Sequence, residues 1–178
     1  MMSLFGRIMS LFTAAKQIPV EELRALGVRI GSGCRVYVDC DFGSEPYLVT
    51  IGDHVTLTRG VRFATHDGGV WVFREEFPDI DVFAPIRVGN NVFIGYGAIL
   101  LPGTVIGDDC VIGAGAVVTG LIPPRSVAAG VPARVVKSLA DYRAKAMAGA
   151  VHIRGKSPEE KRRILCGKFG LPADGGGT

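Results

Sequence analysis

The sequence predicts an all-β solenoid with short helices at both ends, and three observations lead there: aliphatic residues that recur every six positions, abundant glycine, and two abrupt breaks in the count. Ile30, Val36 and Phe42 form one run, Ile51, Leu57 and Phe63 a second, and Val88, Ile94, Leu100, Ile106, Ile112 and Val118 a third. The 25 glycines among 178 residues are roughly twice the ordinary share, and several follow the aliphatic position directly, as at Gly31, Gly52, Gly89, Gly95, Gly107 and Gly113. A small or β-branched residue stands four after it, for example Cys34, Val55, Ala98, Thr104 and Ala116. Six is the period of a short strand and a tight corner, not of a helix with 3.6 residues per turn. Such a unit cannot bury its apolar side alone and is completed by the units stacked on it. If three hexads close a coil of about 18 residues, Val88 stacks beneath Ile106, Ile94 beneath Ile112 and Leu100 beneath Val118.

Taken in order, residues 1–27 read as a helical N-terminal segment. Leu4, Phe5, Ile8, Leu11, Phe12 and Ala15 fall at helical spacing; the stretch is interrupted by Arg7 and too short to span a bilayer. IPVEELRALG then predicts a short helix with Pro19 in its first turn, acids early and Gly27 as its stop. Residues 28–137 are the repeat region. Its first break is a step of nine from Phe42 to Ile51, which reads as a corner bulge around Ser44, Glu45 and Pro46. The second, from Phe63 to Val88, predicts a protruding loop at about residues 66–85, where binding residues of solenoids usually sit. Residues 138–178 predict two helices, the second with Ser157 as N-cap and Pro158 just inside it, then a disordered GGGT end.

Composition bounds the function. The formal net charge of +3 lacks the concentrated basic face of a nucleic-acid binder and suits a small anionic ligand. The cluster Lys161, Arg162 and Arg163 reads as a solvated face. Cys34, Cys40, Cys110 and Cys166 form neither a CxxC pair nor a disulfide framework, which suggests buried thiols in a reducing cytoplasm.

The run IRVGNNVFIGYGAILLPGTVIGDDCVIGAGAVVTGLIPPRSVAAGVPARVVK, residues 86–137, resembles the hexapeptide-repeat acyltransferases, most specifically in its closing PP, AAG and PA pattern. The likeness extends over residues 28–137 and includes galactoside, maltose, serine and xenobiotic acetyltransferases and sugar acetyltransferases of surface-polysaccharide pathways. It implies a left-handed parallel β-helix, a homotrimer with intersubunit active sites, and acetyl-CoA as co-substrate without a metal. It also implies a histidine general base at the head of the loop, which here is His66. On the same grounds Phe93, Tyr96, Ala114, Thr119, Arg134 and Lys137 correspond to acetyl-CoA-binding positions, and Asp39 and Asp41 lie near an acceptor-binding position.

The residues themselves support this chemistry. A hydroxyl or amine attacking a thioester must shed a proton, and imidazole, with an ordinary pKa near 6.5, suits that task. Of the three histidines, His152 lies in the tail and His54 at an ordinary hexad corner, leaving His66. Asp67 is placed either to orient a ring or to bind acceptor, although consecutive strand side chains point to opposite faces. Trp71, with Phe73 and Phe77 among Glu75, Glu76, Asp79 and Asp81, suits a sugar's C–H face and hydroxyls, or packs the loop on a neighbour. A sugar or nucleotide-linked sugar is the expected acceptor. A xenobiotic acetyltransferase and a noncatalytic scaffold stay as alternatives, whereas a carbonic anhydrase of this fold needs three metal-binding histidines.

Overall fold

A computed structural model describes residues 16–172. The amphipathic stretch at residues 4–15 and the GGGT terminus lie outside them. The chain divides into two compact units, Met1–Arg143 and Ala144–Thr178.

In the first unit the hexads supply strands of two or three residues, except that of Phe42, which makes only a bridge between Asp41 and Arg62, and the chain visits three sheets in turn. It opens with β1 (Gln17–Ile18), helix α1 (Val20–Ala25), β2 (Arg29–Ile30) and β3 (Arg35–Tyr37). A second pass supplies β4 (Val49–Ile51), β5 (Thr56–Leu57) and β6 (Arg62–Phe63). A third, beyond the long loop, supplies β7 (Ile86–Val88), β8 (Phe93–Ile94) and β9 (Ile99–Leu100). A fourth adds β10 (Val105–Ile106), β11 (Val111–Ile112) and β12 (Val117–Val118), before β13 (Leu121–Ile122), β14 (Ser126–Ala129) and β15 (Arg134–Ser138). Strands β2, β4, β7, β10 and β13 make a five-stranded sheet and β6, β9 and β12 a three-stranded one. Strands β3, β5, β8, β11 and β14 form the parallel body of a seven-stranded sheet.

The ladders run in the expected register. Val88 pairs with Ile106, Ile94 with Ile112 and Leu100 with Val118. The register survives the loop as well, with Ile51 beside Val88, Leu57 beside Ile94 and Phe63 beside Leu100. These side chains form the core and are almost wholly buried. At the foot of one ladder the rings of Phe42 and Phe63 stack with centroids 4.9 Å apart and planes 7° from parallel.

The corners explain the glycines and small residues. A Cβ on Gly95 would lie 2.5 Å from the Ala114 nitrogen and 2.8 Å from the Ile112 oxygen, so the next pass of backbone could not approach. The thiols of Cys34 and Cys40 each lie 3.2 Å from a carbonyl oxygen of the next pass, on Gly52 and Thr58. Burial pushes the Cys40 thiol up to about 11, so it stays protonated and serves as a weak donor.

Both ends depart from the expectation. Gln17–Ile18 is a strand antiparallel to β3, not part of a helix, and Pro19 stands at the N-cap position of α1, outside the helix. After Ile122 the chain adds one more parallel strand, β14 beside β11, and then breaks the pattern: β15 turns back antiparallel on β14 and ends the seven-stranded sheet. That reversal covers Val127 and satisfies an edge that would otherwise remain open.

Helix α2 (Leu139–Gly149) crosses into the second unit, which also holds α3 (Pro158–Phe169). Ser157 caps α3 in a reciprocal box with Glu160, both bonds being 3.2 Å, and Gly170 ends it with φ 65°. Among the described residues no helix is long and apolar enough to cross a membrane.

Gly95→Ala should destabilise the protein by about 1–3 kcal/mol through overpacking, and Leu57→Ala by about 2–5 kcal/mol through the cavity it leaves. Gly68→Ala, with no atom within 4 Å of its added Cβ, should cost far less; urea unfolding of the three variants against wild type checks the order.

Candidate active site

His66 lies three residues past the end of β6, where the chain leaves the three-stranded sheet and the loop begins. The loop is closed at its neck: Asp67 N–H donates to the Val82 oxygen at 2.9 Å, Ala84 N–H to the Thr65 oxygen at 3.0 Å, and His66 bridges Phe83. The Phe83 ring tilts at 58° to the imidazole with centroids 6.0 Å apart. Farther out, a 3₁₀ turn spans Gly68–Phe73 and Arg74 pairs with Asp81.

Beneath the imidazole lies Glu45. Its Oε2 is 3.3 Å from His66 Nδ1 and accepts the Thr65 hydroxyl at 2.8 Å. Hydrogen bonds from Ser44 first, then Thr65 and His66, hold the Glu45 carboxyl below its usual range. An ionised carboxylate only accepts, so this contact requires Nδ1–H to donate a hydrogen bond to Glu45, and in the neutral ring that tautomer leaves the Nε2 lone pair free. The His66 side chain is 46% exposed whereas Glu45 is 16% exposed; the ring reaches solvent and its anchor is largely shielded. Such an arrangement can take a proton from an incoming group and stabilise the imidazolium that forms.

Glu45 was hidden in what reads as a mere corner bulge. The separation of 21 residues between Glu45 and His66 equals the offset from Phe42 to Phe63, whose rings stack. Carrying the ladder register three residues further would have placed the acid under the histidine.

An open cleft of about 480 Å³ adjoins this pair, bordered by His66 and Asp67, by Val82 and Ala84 on the returning loop, and by Leu101, Pro102 and Thr119. Thr119 is thus brought to His66 from the fourth pass. Asp67 borders the cleft too, despite its adjacency to His66, and its carboxylate caps the 3₁₀ turn by accepting Gly69 N–H at 2.9 Å. Trp71 stands out from that turn, 74% exposed, and does not line the cleft. Asp41 accepts Gly43 N–H at 2.9 Å within its own corner, and Asp39 pairs with Arg59 at 3.3 Å.

The remaining candidates occupy other parts of the unit. Tyr96 and Ala114 stack at the corner between the seven- and three-stranded sheets, where Gly115 N–H reaches the Tyr96 oxygen at 2.7 Å. Phe93 lines a separate hollow with Arg35 and His54 on the seven-stranded face. Arg134 and Lys137 lie on β15, with the Arg134 guanidinium donating to the Ala133 oxygen at 2.9 Å. Tyr96 and Pro102 are six residues apart along one extended pass, up to roughly 20 Å at about 3.3 Å per residue.

Comparisons with known proteins agree with this architecture. Residues 85–120 match the family model described as bacterial transferase hexapeptide (six repeats). The chain is 45% identical over 157 residues to Protein CapG of Staphylococcus aureus, covering 86% of this chain and 91% of that protein. It is 44% identical over 98 residues to galactoside O-acetyltransferase of Escherichia coli (strain K12), spanning 54% of this chain and 47% of the relative. Among solved structures, a galactoside acetyltransferase in complex with coenzyme A aligns with TM-score 0.59 and 30% identity, covering 85% of this chain and 84% of that one.

Because the folded state holds the Glu45 carboxyl below its unfolded value, its stabilising contribution is complete above the unfolded pKa and is lost as pH falls through the folded one. The stability difference between wild type and Glu45→Gln should therefore be largest near neutrality and shrink as pH falls below the ordinary glutamate pKa of about 4.3; denaturant titrations from pH 7 to pH 3 check this.

Proposed function

The chain belongs to the hexapeptide-repeat acyltransferase family, and on that premise we propose that it transfers an acetyl group from acetyl-CoA to a sugar or nucleotide-linked sugar, with His66 as general base. The observation that carries the proposal is the Glu45 carboxylate stacked under a solvent-reaching imidazole at the border of a cleft.

In this reading the three parallel sheets are the faces of a left-handed β-helix. The acceptor hydroxyl or amine gives its proton to His66 Nε2 as its oxygen or nitrogen bonds to the thioester carbonyl. Glu45 keeps Nδ1 protonated and offsets the charge that appears on the ring. The tetrahedral intermediate then collapses, the C–S bond breaks, and His66 returns the proton to the departing thiolate. No covalent enzyme intermediate is needed, and the raised Cys40 and Cys110 thiols support that economy. Thr119, which lines the same cleft as His66, would meet the acetyl-CoA side of the reacting centre.

Tyr96, Ala114 and His66 lie at two corners of the same chain, which supports a homotrimer: the base corner of one subunit would face the Tyr96 corner of the next, and acetyl-CoA would lie between them. The galactoside acetyltransferase relative supports a sugar acceptor. Trp71, exposed on the loop, would then meet either the sugar ring or the adjoining subunit, with Asp39, Asp41 and Asp67 as the polar acceptor contacts and Phe93, Arg134 and Lys137 on the nucleotide side of acetyl-CoA.

Release of CoA thiol should be acceptor-dependent across a panel of sugars, nucleotide-linked amino sugars, serine and chloramphenicol. His66→Ala should lower kcat by about 10²–10⁴-fold with acetyl-CoA binding retained, and Glu45→Gln by about tenfold or more. Undiminished turnover in His66→Ala contradicts the mechanism, and preference for chloramphenicol over every sugar contradicts the acceptor class.

A further inference from the structure

The chain's positive charge is concentrated at one end. Residues 144–172 hold seven Lys and Arg against two Glu, a net charge of +5, whereas residues 1–143 hold thirteen against fourteen acids, a net charge of −1. None of these seven cations lines the cleft at His66. Lys156 pairs with Glu160 at 3.6 Å and Lys168 donates to the Gly149 oxygen at 2.9 Å. Lys145, Arg154, Lys161, Arg162 and Arg163 form no ion pair among the described residues.

Large apolar side chains accompany these cations. Met147 and Phe169 are each 63% exposed and Leu171 is 60% exposed. On α3, Arg162, Leu165 and Phe169 recur at three and four residues and so share one face. Gly170 adopts φ 65° and turns the chain so that Leu171 N–H reaches the Cys166 oxygen at 2.9 Å, which leaves Leu171 beside the helix end. The result is an apolar tip of Phe169 and Leu171 bordered by Arg162 and Lys168.

We propose that residues 144–172 form a peripheral contact for a bilayer surface containing anionic phospholipid. The charge calls for an anionic partner, and the exposed Phe169, Leu171 and Met147 select among such partners. A polyanion in water satisfies the cations but leaves the apolar side chains wet. A bilayer interface satisfies both, with phosphates meeting Arg162, Arg163 and Lys161 while the apolar tip enters the headgroup and acyl boundary.

The test uses the full chain sedimented with extruded vesicles at 0.1 M salt, comparing phosphatidylcholine containing 30 mol% phosphatidylglycerol with phosphatidylcholine alone. Binding is expected only to the anionic vesicles and is expected to weaken as salt rises. The double variant Arg162→Gln, Arg163→Gln should lower the partition coefficient roughly 25-fold, at about fivefold per cation removed. Phe169→Ser should also lower it, with both variants keeping the wild-type circular dichroism spectrum and melting temperature. Should either variant fail to fold, Lys161→Gln and Leu171→Ser make the same comparison from neighbouring positions. No sedimentation with anionic vesicles, equal sedimentation with neutral ones, or unchanged partition in folded variants overturns the proposal. So does a 20-nucleotide single-stranded RNA that binds while the vesicles do not.

Discussion

Parallel strands of successive passes must lie about 4.8 Å apart and in register, and almost everything else in the first unit answers to that constraint. A two-residue strand buries very little by itself. Its aliphatic residue becomes core because the same residue type stands above and below it, as Val88 does between Ile51 and Ile106. The same spacing demands glycine where backbone meets backbone, at Gly95 and its counterparts. It also allows a corner thiol or hydroxyl to reach the carbonyl of the next pass.

Register extends to what leaves the repeat as well as to what obeys it. The bulge after Phe42 and the loop after Phe63 depart from the same corner on successive passes, so a carboxylate on the first comes to lie under an imidazole on the second. The strong preference of stacked strands for one register therefore positions Glu45 against His66 without any dedicated scaffold. The loop neck fixes the ring from the other side through the bridge to Phe83. An imidazole with one nitrogen anchored and a ring that reaches solvent is thus a by-product of stacking in register.

The ladders were legible in the sequence because period six admits few alternatives: once three hexads are assumed per pass, the partners within the uninterrupted run from Val88 to Val118 follow from counting. The N-cap of α3 was legible for a similar reason, since Ser157 followed by Pro158 marks a helix start locally, and the structure completes it as a reciprocal box with Glu160. Glu45 was missed because an insertion reads as irregularity unless its offset is compared with that of the next pass. Strand β1 was missed because two residues carry too little periodicity to separate them from a helix start. The reversal into β15 was missed because alternation along Leu121–Lys137 looks the same whether the strand runs parallel or antiparallel. Nor does sequence distance show which sites share a cleft: Thr119 joins His66 while Trp71, five residues from it, does not.

The most direct test of the stacked pair is the tautomer of His66, read by nitrogen NMR of protein labelled with ¹⁵N-histidine and assigned with His66→Ala. The account predicts a neutral ring protonated at Nδ1 with an unprotonated Nε2, and a loss of that preference in Glu45→Gln. A ring protonated at Nε2 in the wild type, with the same spectrum in Glu45→Gln, would contradict it.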